Sequence, residues 1–264
     1  MSIKKLAWIF VMLALLTTLL LIIISRISIS SDVIFGGADG VFINADGLLD
    51  PLDGYDIKKT NKVEAPSDLI YPKLDVSGSD FIIVNEDNPV GSYSPELGTV
   101  GMTGVRFARS AVKALEKMLA DAKVEGYTPY ISCGYRSYNS QSLKFNGKAR
   151  QIVYGGRFDL QEALELAKDY VEYPGCSEHQ TGLAVDIADK EYAAYDEQRR
   201  DNALYLWLDA HCADYGFIKR YPQTKSDLTG RDEYWHYRYV GKEAAAFIME
   251  NGLCLEEFLA HYAK

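Results

Sequence analysis

The sequence predicts an α+β domain, in which a small, mostly antiparallel sheet is flanked by helices and preceded by an N-terminal transmembrane helix. Three observations support this fold class. Several segments carry apolar residues with a period of 3.6 residues, which is typical of amphipathic helices. Short β-prone runs lie between them, but the two patterns do not alternate as in parallel βαβ folds. The first apolar run is also long enough to cross a bilayer.

The N-terminal helix is predicted from residues 6–25, a run of 20 residues without a charge. At about 1.5 Å per residue, such a helix spans the roughly 30 Å hydrocarbon core of a bilayer. Lys4 and Lys5 precede the run and only Arg26 follows it, which favours a cytoplasmic N-terminus. A cleaved signal peptide is the alternative, but the run is longer than usual and no small-residue cleavage site follows. We therefore expect residues 1–26 to form a cytoplasmic tip and a membrane anchor.

A spacer is predicted between this anchor and the body, over residues 27–67. The stretch holds seven acidic residues and five glycines. Asp-Gly steps begin at positions 39, 46 and 53, and Asp-Gly is a strong signal for tight turns. The folded domain is then expected to cover residues 68–264, outside the cytoplasm.

The charge balance excludes one class of partner. The chain carries 28 basic and 37 acidic side chains, for a net charge of −9. Because an acidic surface repels the phosphate backbone, we do not expect the protein to bind nucleic acid.

The first elements of the body are predicted from local patterns. A strand over 81–84 is an apolar run closed by turn residues at 85–89. A helix over 105–123 shows the 3.6-residue period and ends before Gly126. A β-prone strand follows over 130–133.

The second half of the body is predicted in the same way. A helix over 160–171 again has apolar residues at helical spacing, and an apolar strand follows over 183–188. A helix over 204–215 ends at Gly216. The last elements are a strand over 235–240 and short helices over 242–250 and 255–262.

One motif pairs a histidine with an aspartate. His179 lies in a predicted loop, and Asp186 follows seven residues later within an apolar strand. A carboxylate between apolar neighbours is costly to bury unless it is paired or binds a metal. Ala184 and Ala188 share the strand face of Asp186, so there is room for a ligand beside it. We interpret His179 and Asp186 as a metal-binding pair.

A second motif adds His236, whose aromatic neighbours indicate a buried strand. Glu233 lies three residues earlier, and residues three apart on a regular strand face opposite sides. Glu233 is therefore expected in the loop that enters the strand. Two histidines and one carboxylate leave a fourth position for water, which is the pattern of a catalytic zinc site. A nearby glutamate that is not a ligand can accept a proton from that water.

A third motif, SCGYRSYNSQ, covers residues 132–141. Arg136 follows a predicted strand end and a glycine, where a guanidinium can reach a carboxylate or an oxyanion. Taken alone, such an arginine is most often a surface residue.

Together, the segments SCGYRSYNSQ, PGCSEHQTGLAVDI and EYWHYRYVG resemble the three signatures of the VanY-type D-alanyl-D-alanine carboxypeptidases, in the same order and separation. The likeness covers residues 80–260. The family pattern S-x-H-x-x-G-x-A-x-D is matched at every fixed position from Ser177 to Asp186.

The resemblance implies a bacterial zinc peptidase that removes the C-terminal D-alanine from peptidoglycan stem peptides. Together with the anchor predicted from residues 6–25, this predicts a cell-membrane protein whose catalytic domain lies outside the cytoplasm. Carried over by position, the resemblance assigns roles to seven residues: His179, Asp186 and His236 as zinc ligands, Glu233 as general base, Arg136 as the group that stabilises the transition state, and Ser177 and Gln141 as residues of the substrate pocket.

Other functions remain open at this point. An L,D-carboxypeptidase or a D,D-dipeptidase would act on the same peptides, because stereochemical preference depends on the shape of the pocket. A non-catalytic cell-wall-binding module could keep the fold and the metal ligands. The presence of Glu233 favours an enzyme, because a module that only binds needs no general base.

The chain departs from the family pattern at Tyr234, where proline is usual, and at Cys133 and Cys176, where small or polar residues are usual. Cysteines outside the cytoplasm often form disulfides. We expect Cys133 to pair with Cys176 and Cys212 with Cys254. Free thiols are one alternative. Zinc–thiolate ligation is another, although no C-x-x-C spacing supports it.

Overall fold

The computed structural model describes residues 63–91, 93–191 and 195–263. The predicted anchor at 6–25 and most of the predicted spacer lie outside these residues. Within the described ranges, no helix is both long enough and apolar enough to span a membrane.

The main sheet has four strands in the order β3-β4-β6-β5, and each neighbouring pair is antiparallel. This confirms the prediction of a small antiparallel sheet combined with helices. Its strands are β3 (Tyr130–Cys133), β4 (Ala184–Ala188), β5 (Phe217–Tyr221) and β6 (Glu233–Tyr239).

A second sheet consists of β1 (Leu97–Thr99) and β2 (Arg106–Ala108), which pair antiparallel. The predicted helix over 105–123 is therefore wrong at its start. Helix α1 covers Val112–Val124, because the residues before it pair with β1 and the amide of Ala108 donates to the carbonyl of Gly182 at 2.7 Å.

The longest helix within the described residues, α2 (Tyr138–Tyr154), was not predicted. Its buried face includes the polar residues Gln141, Ser142 and Asn146, so the apolar period that signals a helix is absent. The signal that the sequence does contain is a cap: the hydroxyl of Ser137 accepts a hydrogen bond from the amide of Ser140 at 3.3 Å.

Four of the remaining five α-helices within the described residues agree with the predicted positions, with shifts of up to four residues at their ends. The five helices are α3 (Leu160–Ala167), α4 (Ala203–His211), α5 (Ser226–Thr229), α6 (Lys242–Glu250) and α7 (Leu255–Ala260), of which only the single-turn α5 was not predicted.

The predicted strand over 81–84 is wrong. The segment forms a short 3₁₀ turn at Ser79–Phe81 and then runs without a strand partner into a turn in which Asn85 bonds Asn88. Phe81 and Ile83 are apolar because they pack on the buried residues around Phe258. Burial without sheet pairing produces the same local apolar pattern as a strand.

The two faces of β4 separate the core from the site. Val185 and Ile187 point into the main core, together with Leu115 of α1 and Leu208 of α4. Asp186 alternates with them and therefore lies on the opposite face. A second hydrophobic cluster, built from Ile218, Ile248 and Phe258 among others, packs against β5.

Candidate metal centre

Asp186 is placed at the middle of the sheet, where it is paired directly with His236 across β4 and β6. Directly paired residues of antiparallel strands have side chains on the same face. His179 comes from the short 3₁₀ turn Glu178–Thr181, just before β4. The chain reverses there at Gly182, whose φ of +71° is a left-handed conformation that favours glycine.

Both imidazoles face the same carboxylate. His179 Nε2 lies 3.2 Å from Asp186 Oδ2, and His236 Nδ1 lies 3.1 Å from Asp186 Oδ1. The two histidines are 3% and 1% exposed in their side chains. The structure thus brings together all three predicted metal ligands.

The other ring nitrogen of each histidine has a partner behind the site. His179 Nδ1 lies 2.9 Å from the carbonyl oxygen of Gly134, which can only accept, so Nδ1 carries the proton. His236 Nε2 lies 3.5 Å from Glu178 Oε2. The bond to Gly134 selects the tautomer that leaves His179 Nε2 free to act as a ligand. His236 Nε2 and Glu178 Oε2 make no hydrogen bond of good geometry within the described residues.

The spacing of these donors fits a small divalent cation. Bonds of about 2.0–2.1 Å in a tetrahedron put neighbouring donor atoms about 3.3 Å apart. The two histidine–aspartate separations, at 3.1 and 3.2 Å, are close to this value. Within the described residues, Asp186 Oδ1 is buried and has no hydrogen bond of good geometry. The donor set therefore suits zinc in type and number, and each histidine lies at a ligand-like distance from one oxygen of Asp186.

The charges of the site also favour a cation. Burial acts to lower the pKa of both histidines, but Asp186 outweighs it, so the pKa of His179 is well above its ordinary value. Asp186 together with Glu178 raises the pKa of His236 to about 9. Conversely, burial acts to raise the pKa of Asp186, but the two histidines hold it well below its usual range. The negative charge that favours protonation of both imidazoles would also favour a bound cation.

Glu233 lies at the edge of the same centre, with Oε2 3.4 Å from His236 Nδ1. The expectation that it precedes the strand is wrong, because it is the first residue of β6. The pairing of β5 with β6 is irregular, so that Tyr221 opposes Glu233 rather than a residue two positions later. This irregularity lets Glu233 and His236 share a face. Burial raises the pKa of Glu233.

Arg136 and Ser177 are in contact, since Arg136 Nη2 donates to the hydroxyl of Ser177 at 3.1 Å. The backbone amide of Arg136 donates to the carbonyl of His179. Two residues earlier, Gly134 lies tightly against the chain around β2, since a Cβ atom there would lie only 2.5 Å from Val105 Cγ1 and 2.7 Å from the carbonyl oxygen of Arg106. Within the described residues, Arg136 Nε is buried and makes no hydrogen bond.

Gln141 is fully buried on α2. Its amide group donates to the carbonyl of Glu172 at 2.5 Å, so it supports the loop that leads to His179. Its side-chain oxygen, Oε1, is buried and has no hydrogen-bond partner within the part of the chain that the structure describes.

Two residues beside the site, Glu172 and Arg231, were missed in the sequence. The carboxylate of Glu172 lies 3.8 Å from the guanidinium of Arg136 and 3.8 Å from that of Arg231. Arg231 in turn lies 3.3 Å from Glu233. This series of alternating charges connects Arg136 to Glu233. No sequence pattern predicts the series, because its members come from three segments that are far apart in the chain.

A second group of charges lies behind His236 and was also missed. Glu178 contacts Arg220 at 2.7 Å and Arg238 at 3.0 Å, and Arg220 also binds Glu256 of α7. All four side chains are at most 9% exposed. We call these four residues the buried charge cluster. Burial acts to raise the pKa of Glu178, but the two arginines hold it well below its usual range.

All four cysteines are free thiols, so the predicted disulfides are wrong. Cys133 lies at the end of β3, whereas Cys176 is buried in the loop before the His179 turn. Cys212 follows α4 and packs in the main core, while Cys254 caps α7. The four thiols lie in different parts of the fold, so the position of a cysteine next to a motif did not predict a disulfide partner.

Two imidazoles on either side of one carboxylate, with a second carboxylate at the edge of the group, indicate a class of protein. Such a set is typical of mononuclear metal-dependent hydrolases, which combine three protein ligands, one open position and a nearby general base.

Comparison with known proteins narrows this class. The sequence profile of VanY, described as D-alanyl-D-alanine carboxypeptidase, matches residues 104–242. The D-alanyl-D-alanine carboxypeptidase of Enterococcus faecalis (strain ATCC 700802 / V583) is 39% identical over 182 residues, which cover 68% of this chain and 65% of that protein. The chain therefore spans slightly less than two thirds of that relative's length.

Solved structures agree. VanYB in complex with D-alanine-D-alanine is 37% identical, with a TM-score of 0.60 covering 71% of this chain and 100% of that one. A vancomycin-resistance D,D-pentapeptidase VanY in complex with Zn(II) is 36% identical, with a TM-score of 0.59, and the match covers 69% of this chain and 99% of that one. The LD-carboxypeptidase LdcB is 31% identical, with a TM-score of 0.55, and the match covers 77% of this chain and 92% of that one. The chain belongs to the VanY family of D-alanyl-D-alanine carboxypeptidases, which confirms the resemblance of its three motifs.

Proposed function

We propose that the protein is a zinc-dependent D,D-carboxypeptidase that removes the C-terminal D-alanine from peptidoglycan stem peptides. Its family membership supports this activity, and so do relatives described with bound zinc and with bound D-alanine-D-alanine. The observation that carries the proposal is the position of Asp186 between His179 Nε2 and His236 Nδ1, with Glu233 3.4 Å from the latter nitrogen.

In this proposal His179, Asp186 and His236 hold the zinc ion. When bound, zinc polarises a carbonyl and makes water acidic enough to attack it near neutral pH. Glu233 accepts the proton of the attacking water and passes it to the amine of the departing D-alanine. Its raised pKa, caused by burial, suits a group that both takes up and releases a proton.

Arg136 has a donor available for the substrate. Ser177 holds one end of its guanidinium, and its buried Nε makes no hydrogen bond within the described residues. We assign to Arg136 the stabilisation of the negative charge that develops on the substrate carbonyl, an interaction of about 3–4 kcal/mol in comparable sites. The buried Oε1 atom of Gln141 is an acceptor without a partner in the same described region, which supports a place at the substrate pocket.

The test is to incubate the purified full-length protein with two peptides. One is a stem pentapeptide ending in D-Ala-D-Ala, and the other is a tetrapeptide ending in a single D-Ala. Loss of the mass of one alanine from the pentapeptide, stopped by a zinc chelator and restored by zinc, is the expected result. Failure of zinc-loaded protein to shorten either peptide would contradict an enzymatic role and favour a wall-binding module.

The same assay separates the related activities. Preferential shortening of the tetrapeptide would indicate an L,D-carboxypeptidase, which the likeness to LdcB makes a specific second candidate. Hydrolysis of the free dipeptide D-Ala-D-Ala in preference to the pentapeptide would indicate a D,D-dipeptidase.

We further propose that residues 6–25 anchor the protein in the bacterial cell membrane and that residues 27–67 form a spacer. The domain at 68–264 then works outside the cytoplasm, where its substrate is found. The uncharged run of 20 residues and the two lysines before it support this arrangement. The full chain should sediment with membranes and be digested by protease added to intact spheroplasts. Deleting residues 1–26 should release the protein, and an unchanged distribution would contradict the anchor.

A further inference from the structure

A third side chain lies in the row formed by Asp186 and His236. Cys133 of β3 is paired directly with Asp186 of β4, which is paired directly with His236 of β6. Directly paired residues share a face of an antiparallel sheet. Cys133, Asp186 and His236 therefore stand side by side across three strands, on the face that carries the proposed zinc ligands.

An irregularity in β3 produces this arrangement. Ile131 pairs with Ile187, so regular pairing would put Ser132 opposite Asp186. The register shifts between Ile131 and Cys133, and Cys133 takes that position instead. Bulges of this kind redirect a side chain and are frequent next to active sites.

The distances place the thiol within reach of the metal centre. Cys133 Sγ, a ring nitrogen of His179 and a carboxylate oxygen of Asp186 all lie within 4.8 Å of one another. Cys133 is only partly buried and is a free thiol. Its hydrogen bond to the carbonyl of Gly134 is long, at 3.6 Å, and weak, as expected for a thiol donor. Within the described residues, the sulfur therefore belongs to a group of donor atoms close enough to share a cation.

We propose that Cys133 supplies a fourth protein donor, a thiolate, to the metal held by His179, Asp186 and His236. This rests on the proposed zinc site. On binding, the thiol releases its proton to solvent and a sulfur–metal bond forms, without any change of oxidation state. The bond is reversible, and the attacking water must take the place of the sulfur before hydrolysis, because the proposed mechanism needs that position. Thiolate is a soft ligand, so the centre should also favour zinc and cadmium over magnesium or manganese.

The test uses full-length protein loaded with Co²⁺, whose absorption reports its ligands. Visible bands from the metal itself show that the centre is filled, and a near-ultraviolet charge-transfer band shows bound thiolate. We expect both in the wild type. Cys133→Ser should keep the visible bands and lose the charge-transfer band. The matched control is Cys176→Ser, which also alters a cysteine beside a site motif and should keep both.

Zinc provides a second measurement that needs no variant. X-ray absorption of the zinc-loaded protein should show a sulfur neighbour at about 2.3 Å. Zinc should also slow the alkylation of Cys133 by iodoacetamide, measured by mass spectrometry of the tryptic peptides.

The outcomes of these experiments separate the role of Cys133 from the existence of the zinc site. Visible cobalt bands without a thiolate band, or a thiolate band that survives Cys133→Ser, would overturn the role of Cys133 and leave the zinc site standing. The absence of cobalt bands from all variants would overturn the metal centre and, with it, the role of Cys133.

Discussion

Two groups of charged residues share His236, and they differ in how their charges are balanced. On the Nδ1 side, the ion-pair partners of Asp186 within the described residues are two histidines, both of which could instead bind a metal. On the Nε2 side, the buried charge cluster pairs the acids Glu178 and Glu256 with two arginines.

The difference shows which buried acids belong to a site. A buried carboxylate is costly unless an opposite charge compensates it. In the buried charge cluster the chain itself provides that charge, so the acids need no ligand. Within the described residues, titratable imidazoles alone do so at Asp186, and a bound cation can take the place of their protons. The ring of His236 lies between the two groups, with Nδ1 3.1 Å from Asp186 and Nε2 3.5 Å from Glu178.

The largest effect is expected where the charge balance depends on a cation. Asp186→Ala should abolish zinc binding and reduce peptide hydrolysis to background, because the remaining histidines lose the carboxylate between them. Zinc content by elemental analysis and peptide mass spectrometry measure the two effects. A variant that retains stoichiometric zinc would show that Asp186 is not a ligand.

The next effect should separate chemistry from metal binding. Glu233→Gln should lower kcat by about 10²–10⁴-fold, the usual contribution of a general base, while zinc content stays at the wild-type level. Retained activity would rule out Glu233 as the base. Loss of zinc would instead place it among the ligands.

A change in the buried charge cluster should act on stability first. Glu178→Ala leaves Arg220 and Arg238 without their shared carboxylate, and breaking such a buried pair costs about 3–5 kcal/mol. Urea unfolding measures this cost. As an exposed control, Lys117→Ala removes a surface pair with Asp121 and should cost only about 0.3–0.5 kcal/mol.

Glu178 also tests the link between the two groups. Glu178→Gln keeps the shape of the side chain but removes the charge that faces His236 and the two arginines. A loss of zinc affinity larger than that of Glu256→Gln, which unbalances Arg220 without touching His236, would reflect the contact with His236 Nε2. We expect a loss of about 10–100-fold, measured by competition with a chelator. Unchanged affinity would mean that the cluster supports the fold alone.

The smallest effect concerns an ion pair next to the cluster. Burial acts to raise the pKa of Glu257, but Lys225 and the amide of Cys254 outweigh it and lower the pKa. A carboxylate with a lowered folded-state pKa stabilises the protein above its unfolded pKa of about 4.3, and this is lost as the pH falls. Glu257→Gln should therefore cost about 1 kcal/mol at pH 7 and little at acid pH. Equal costs at both pH values would contradict this.

Local patterns predicted the fold where burial was apolar and periodic. The strands around Asp186 and His236 and the helices at 203–211 and 242–250 are of this kind. Helix α2 was missed because its buried face is partly polar, and the strand over 81–84 was wrong because its apolar residues are buried without a strand partner.

The sequence by itself determined which residues could be ligands and to which family the chain belongs, because each motif is a short, continuous string. Only the tertiary structure decided which nitrogen of each histidine faces Asp186, and that Glu233 shares the face of His236. It also placed Cys133 opposite Asp186, although no C-x-x-C spacing had suggested a thiolate ligand. These features depend on strand register and on irregular pairing between β3 and β4 and between β5 and β6. Register is set by contacts between segments that are far apart in the chain, so no local pattern reveals it.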